Sequence, residues 1–514
     1  RYEKMLNGIR HMRPVVLVFA ICACASLPFL FKFIPSELAP AEDNGVVVFM
    51  GTAPANANLD FIQDTMDQVN KVLTAEKSVE YAQIFSGIPS ANQAFGLATL
   101  KPWSQRDQSQ TDVANDVTEK IKNIPQMAIT AFQMPSLPGA GSGLPVQFVI
   151  TTPNNFKSLF QVAAEMLTKV KDNPMFVYSD LDLKYDSATM NINIDKDKAG
   201  AYGVTMQAIG NTLSTMLAGG DINRVDILGR SYKVIPQVER KNRFNPKDLN
   251  NYYVKTSSGD LIPLGSLVTI TVTPAPPTLP SFNQQNAATI GAVLAPGTSI
   301  GEAVNWLNTE SAKVLPKGYG HNYLGESRQY VTEGNALYAT FGLALAIIFL
   351  VLAIQFESLR DPLVILVSVP LAICGALIAL AWGATTLNIY SQIGLITLIG
   401  LITKHGILIC EVAKEEQLYH GKNRMDAVME AAKIRLRPIL MTTCAMIAGL
   451  VPLLYASGAG AASRFSIGIV IVAGLSIGTL FTLFVLPVIY TFLASEHKPL
   501  PVFVEEDDGL DNHF

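Results

Sequence analysis

Apolar residues gather in six long runs, and their spacing sets the plan of the chain. The first run is Pro14–Phe31. A polar stretch from Pro35 to Thr332 follows. Five more runs then come close together: Asn335–Gln355, Leu363–Trp382, Tyr390–Val412, Leu436–Tyr455 and Ile467–Leu493. About 20 apolar residues cross a bilayer core as a helix. The pattern therefore predicts one membrane span, a large polar region, and five further spans.

Inside the polar region the period changes. Val46–Met50 is rich in strand formers, and Asn58–Thr74 carries Leu59, Ile62, Met66, Val69 and Leu73 at helical spacing. Val79–Phe85 and Ala94–Leu100 read as strands. Thr111 is placed to cap a second helix bearing Val113, Val117, Ile121 and Ile124, and Met127–Phe132 closes the unit. This βαββαβ order predicts a split βαβ, ferredoxin-like subdomain. After the Gly- and Pro-rich loop Pro135–Pro145 the pattern restarts, with strand Val146–Thr152 and helix Asn155–Lys171. Its second half is expected only at Phe282–Leu294 and Ser299–Leu315, where Ser299 and Glu302 form a capping box. The intervening insert holds the alternating stretch Met190–Ile194, a helix near Thr205–Leu217 and a turn at Ser257–Asp260. Its exit, Thr273–Pro280, contains four prolines.

Composition agrees with a membrane protein carrying a soluble part: 49% of residues are hydrophobic and 16% charged, where soluble domains average about 25% charged. The net charge of −4 argues against a nucleic-acid partner. The first run has a basic flank but no Ala-x-Ala cleavage site, so it reads as an anchor in the lipid bilayer. Residue 1 is Arg, which suggests a fragment or a processed product. Cys22, Cys24, Cys374, Cys410 and Cys444 all lie in apolar stretches, and no Cys-x-x-Cys or other metal site is present. No Walker loop is present, so ATP is not the expected energy source. Arg1, Lys4, Arg10 and Arg13 precede the first span, and Lys414, Lys422, Arg424, Lys433, Arg435 and Arg437 lie between the fourth and fifth, whereas the opposite short loops hold only Arg464. Positive charge on one side puts both termini in the cytoplasm and the polar region across the membrane.

Several long motifs then point to one family. They are Leu352-Ala353-Ile354-Gln355-Phe356-Glu357-Ser358, Asp361-Pro362-Leu363, Val369-Pro370-Leu371, Gly400-Leu401-Ile402-Thr403-Lys404-His405-Gly406-Ile407-Leu408, Arg435-Leu436-Arg437-Pro438-Ile439-Leu440-Met441-Thr442-Thr443, Ser457-Gly458-Ala459-Gly460 and Gly478-Thr479-Leu480-Phe481. In this order they resemble the hydrophobe/amphiphile efflux branch of the resistance–nodulation–division (RND) transporters, and the chain resembles their C-terminal half. The resemblance implies a multi-pass Gram-negative inner-membrane drug/proton antiporter rather than an enzyme. It uses the proton-motive force and no cofactor. The six spans would be the seventh to twelfth of a homotrimer that joins a periplasmic adaptor (membrane fusion protein) and an outer-membrane channel. The missing N-terminal half would supply a pair of membrane aspartates. The implied division is 1–34 cytoplasmic segment and first span, 35–143 first porter subdomain, 144–184 and 282–332 the two parts of the second, 185–281 docking insert, 333–495 five-helix bundle, and 496–514 cytoplasmic acidic tail.

The chemistry centres on Lys404 in mid-span. A charge there costs about 2.5–3.5 kcal/mol on insertion scales and needs a partner. Glu333, Glu357, Asp361 and Glu411 all sit at span ends. By the resemblance, Lys404 pairs with the absent aspartates, with Thr442 and Arg435 completing a proton relay. Thr442 alternatively bonds its own helix backbone, and Arg435 is alternatively a positive-inside anchor. His405 stands where the family commonly has asparagine, and either tunes proton uptake or packs against a neighbouring helix. Phe132 matches a pocket phenylalanine, against the alternative of a core residue. Gln83 replaces another pocket aromatic, and Ser86–Gln93 replaces a longer switch loop without its phenylalanines. Other readings are a metal exporter using thioethers such as Met50, Met127 and Met134, a lipid exporter, or a structural half without transport of its own.

Overall fold

The computed structural model describes residues 2–88, 90–137, 143–217 and 219–496. The loop expected over Pro135–Pro145 is described in part, and the acidic tail beyond Glu496 lies outside the described residues. The chain forms two compact units. One comprises Pro54–Asn56 and Leu183–Leu279, the other the rest of the described chain.

The larger unit begins with α1 (Tyr2–His11) and α2 (Arg13–Phe33). Next come β1 (Val46–Thr52), α3 (Leu59–Ala75), β2 (Val79–Ser86), β3 (Gln93–Leu100), α4 (Gln110–Ile121) and β4 (Ala128–Gln133). The strands form one sheet in the order β2-β3-β1-β4. Ile62, Met66, Val69 and Leu73 of α3 and Val113, Val117 and Ile121 of α4 cover one face, against Val47, Phe49, Ala98 and Leu100. The cap of α4 differs from expectation. Ser109 accepts from the Asp112 amide and the Asp112 side chain returns a bond to the Ser109 amide, whereas Thr111 lies inside the helix. The acidic third helical residue decides the start, because it satisfies a second orphan donor.

A second sheet follows from β5 (Val146–Thr152), α5 (Phe156–Asp172) and β6 (Phe176–Leu181). The smaller unit interrupts it. That unit contains β7 (Ser187–Ile194), α6 (Lys196–Ala201), α7 (Met206–Leu217), β8 (Asn223–Ile227), β9 (Arg230–Val234), β10 (Tyr253–Lys255), β11 (Leu261–Pro263) and β12 (Val268–Ala275). β7 and β12 pair along their full length, over a core of Val204, Ile209, Leu249, Val254, Leu264 and Leu267. The β8–β9 hairpin is exposed at every position.

The second sheet resumes with β13 (Ser281–Phe282), β14 (Gln285–Leu294), α8 (Ile300–Val314) and β15 (Gly320–Leu324). Its strands run β13-β14-β5-β15, with β6 also on β14. Thus β6 before the insert and β15 after α8 belong to the sheet, although the sequence reading placed the second half only at Phe282–Leu294. Omitting β13, the path β6-β14-β5-β15 repeats the order of the first sheet.

Among the described residues, six helical segments are long and apolar enough to cross a membrane. Beside α2 they are α9 (Gly325–Phe356), α10 (Asp361–Leu366) continuing into α11 (Ser368–Ala381), α12 (Ile389–His420), α13 (Arg424–Leu454) and α14 (Ala461–Leu493). The α10–α11 break follows from Pro370, which offers no N–H to the Leu366 carbonyl. Most of these helices overrun the apolar runs because their end signals lie in polar flanks. Asn388 caps α12, left-handed Gly421 ends it, and Asn423 caps α13. In α11, α12 and α14 over half of the apolar window is buried, against 6–11% in α2, α9 and α13.

Candidate functional site

On α12, buried residues recur at Leu398, Ile399, Ile402, Thr403, His405, Gly406, Ile409 and Cys410. The opposite stripe, Ile393, Thr397, Gly400, Lys404 and Glu411, is exposed. Lys404 therefore sits on the face that the other helices of this chain leave uncovered. Among the described residues, no hydrogen bond or ion pair joins it to Thr442, Arg435 or any carboxylate.

His405 points the other way, one helical step of 100° on, and is fully buried. Its Nε2 is 3.3 Å from Thr443 Oγ1 on α13, and its Nδ1 is 3.4 Å from Thr479 Oγ1 on α14. Thr443 already donates its hydroxyl proton to the Ile439 carbonyl at 2.8 Å. It must therefore accept from Nε2–H, which leaves Nδ1 to accept from Thr479. The imidazole ties three helices together.

Thr442 donates to the Pro438 and Ile439 carbonyls, both at 3.0 Å, as a hydroxyl bonded to its own helix does. Arg435 lies seven residues earlier on the same face. It is half-buried, and its Nε has no hydrogen-bond partner among the described residues. The structure thus groups Lys404 and His405 on α12 and Arg435, Thr442 and Thr443 on α13, but among the described residues the only side-chain bond joining these two groups runs between His405 and Thr443.

Phe132 lies on the sheet face turned from α3 and α4, buried with Val48 and Leu144 and flanked by Met50, Phe95 and Leu97. The register Gln83–Leu97–Val48–Phe132 puts Gln83 in the same cross-strand row, three strand spacings or about 14 Å away. Phe132 lines a cavity of about 290 Å³ beside β4, and Gln83 does not. Two carboxylates that the sequence reading missed, Glu37 and Glu326, also line it. Thr386 Oγ1 donates to Glu37 at 2.5 Å, yet burial pushes the Glu37 carboxyl above the usual carboxylate range. Met127 packs in the helix-side core and Met50 on the opposite sheet face, so these thioethers do not converge. Among the described residues no three His, Cys, Asp or Glu side chains gather as a metal site.

Six apolar helices packed beside two like-ordered α/β sheets, with a lysine at mid-helix, mark a multi-span membrane protein with a large extramembrane part. Residues 1–494 match the AcrB/AcrD/AcrF family, and the chain belongs to it. This is a family of RND efflux transporters, not of enzymes. The chain is 52% identical over 510 residues to an uncharacterized transporter of Haemophilus influenzae, covering 98% of this chain and 49% of that one. It is 31% identical over 507 residues to the multidrug/solvent efflux pump membrane transporter MepB of Pseudomonas putida (96% and 48%). It is 30% identical over 493 residues to the multidrug export protein AcrF of Escherichia coli (93% and 47%). The chain spans about half the length of these curated relatives.

Proposed function

We propose that the chain is the C-terminal half of a proton-driven exporter of amphiphilic compounds in the Gram-negative inner membrane. The observation that carries this reading is Lys404, exposed at mid-length of an apolar helix with no partner among the described residues. In a bilayer such a cation needs a carboxylate from a covering helix. A deprotonated carboxylate holds the ammonium, and its protonation releases it. Alternate protonation from the two sides then drives a cycle of helix repacking, with Thr442 and Arg435 as further relay groups and no cofactor. His405 sets the rotation of α12 that presents Lys404. The repeated strand order supports reading 35–143 and 144–184 with 282–332 as ferredoxin-like porter subdomains, and 185–281 as a docking insert. In this reading the whole transporter is a homotrimer working with a periplasmic adaptor and an outer-membrane channel.

The test compares Lys404→Met with wild type in the whole transporter, in pump-deficient cells at equal membrane expression. The mutant is expected to accumulate a fluorescent amphiphile like cells lacking the pump. Normal export by the mutant would refute the coupling role.

A further inference from the structure

Residues 34–45 join α2 to β1, and two neighbours in this linker face opposite ways. Glu42 is 6% exposed. Its Oε1 accepts from the Ser463 amide at 2.7 Å and from the Ser463 hydroxyl, and its Oε2 accepts from the Ala462 amide at 3.3 Å. These amides lie in the first turn of α14, where the helix itself offers them no acceptor. A carboxylate there also meets the positive end of the helix dipole. Asp43 reaches the other way. It accepts from Arg106 at 2.5 Å and from the Gln110 amide, at the start of α4, at 3.0 Å. The Glu42 amide donates to Ser136 Oγ, just beyond β4, at 3.2 Å. Two consecutive residues thus bracket the first turn of α14 to the first α/β sheet, with a single peptide bond between the two grips.

A cap made for stability alone is usually a side chain at the helix's own first position. In α14 that position is Gly460, which has none. The acceptor comes instead from a residue 421 positions away in sequence, on a segment fixed on both sides. The bond therefore joins two elements as well as finishing one. At its other end α14 reaches Lys404. Thr479 lies about 24 Å from Ser463 along one continuous helix, and it bonds His405, the neighbour of Lys404. We propose that Glu42 is a positioning residue of the transport cycle: its hold on α14 passes the helix repacking around Lys404 to the first α/β sheet. This rests on the reading of Lys404 as the coupling cation, and it names the route by which that site acts outside the membrane.

Hydrogen exchange read by mass spectrometry on the whole transporter in detergent follows both ends at once. Lys404→Met is expected to change exchange in α12 and α14 and, through Glu42, to change it about threefold in the first sheet. In a Glu42→Ala background the α12 and α14 response should persist, while the first-sheet response shrinks below about 1.5-fold. Glu42→Gln keeps an oxygen for the Ser463 amide and hydroxyl and should restore most of that response. A residue that only stabilises the fold would shift first-sheet exchange by itself and leave its response to Lys404→Met unchanged. That result overturns the proposal, as does a glutamine variant no better than alanine. If Glu42→Ala does not fold, judged by thermal melting, Ser463→Ala removes the hydroxyl contact alone. It should weaken the first-sheet response, and an undiminished response overturns the proposal. If Lys404→Met alters neither α12 nor α14, the coupling reading of Lys404 fails first and this proposal falls with it.

Discussion

Replacing His405 by leucine tests the inter-helical tie next to Lys404. Leucine fills similar space but removes both imidazole nitrogens. Thr443 keeps its bond to Ile439, so it loses one partner of two. Thr479 loses its bond to Nδ1, the one hydrogen bond its hydroxyl makes among the described residues, at 3% exposure. Side-chain hydrogen bonds between membrane helices average about 0.6 kcal/mol and reach about 1.7 kcal/mol. A stranded buried hydroxyl adds about 1 kcal/mol. The expected loss is therefore about 2 kcal/mol. It is measured by SDS titration of the detergent-solubilised chain with helicity as readout. His405→Asn reaches one threonine and should lose about half as much. The reasoning fails if His405→Leu matches wild type, or if the asparagine variant is the less stable of the two.

Gly478 tests a close contact between two helix backbones. A Cβ there would lie 2.6 Å from Ala372 Cβ and 2.9 Å from its Cα, so α11 and α14 must separate. Gly478→Ala should cost about 1–3 kcal/mol in the same titration, and an unchanged midpoint would contradict that packing. In the first α/β sheet, Ser109→Ala should cost about 1 kcal/mol, while Thr111→Ala stays within about 0.5 kcal/mol. Thermal melting decides between them, and the reverse order would restore Thr111 as the cap. Burial alone would raise the Asp43 carboxyl, but bonds from Arg106 and the Gln110 amide outweigh it and hold it below the usual range. A depressed folded value adds stability above the unfolded pKa of about 4, lost as pH falls through the folded one. Melting temperature should therefore drop below about pH 4, and Asp43→Asn should remove part of that drop. A wild-type curve flat to pH 2 would sink this account.

The six spans were legible because a bilayer-length apolar run has few other uses. Their ends were not, since the caps at Asn388 and Asn423 lie among polar residues that hydropathy discards. The edge strand Phe176–Leu181 escaped because Ser179 and Asp180 interrupt its alternation, and its pairing with β14 lies across the whole insert. For Lys404, depth was legible in the sequence but direction was not. Its stripe mixes Ile393, Thr397, Gly400 and Glu411, and in a membrane an apolar position faces lipid or protein equally well. Packing alone reveals that Lys404 is turned outward and His405 inward. The cavity carboxylates were illegible for another reason. Glu37 follows the first span and Glu326 opens the second, and only the folded chain sets them around one recess.

The repeated strand order explains where the chain accepts its insert. In the first sheet β2 and β3 are antiparallel neighbours joined by the short loop 87–92. The matching neighbours of the second sheet, β6 and β14, are joined through the smaller unit. A hairpin connection lies at the sheet end and packs on neither face, whereas each helical crossover must cover the sheet. Lengthening a crossover would uncover core, while lengthening a hairpin adds only loop-closure entropy, which grows slowly with length. Pairing of β7 with β12 reduces even that term, because it brings the insert's two ends side by side. The same connection in the first sheet holds Ser86–Gln93, the segment singled out as a replacement for a switch loop. Both sheets thus carry this connection where the helix-covered core is least affected, so its length and sequence can change without disturbing the packed face.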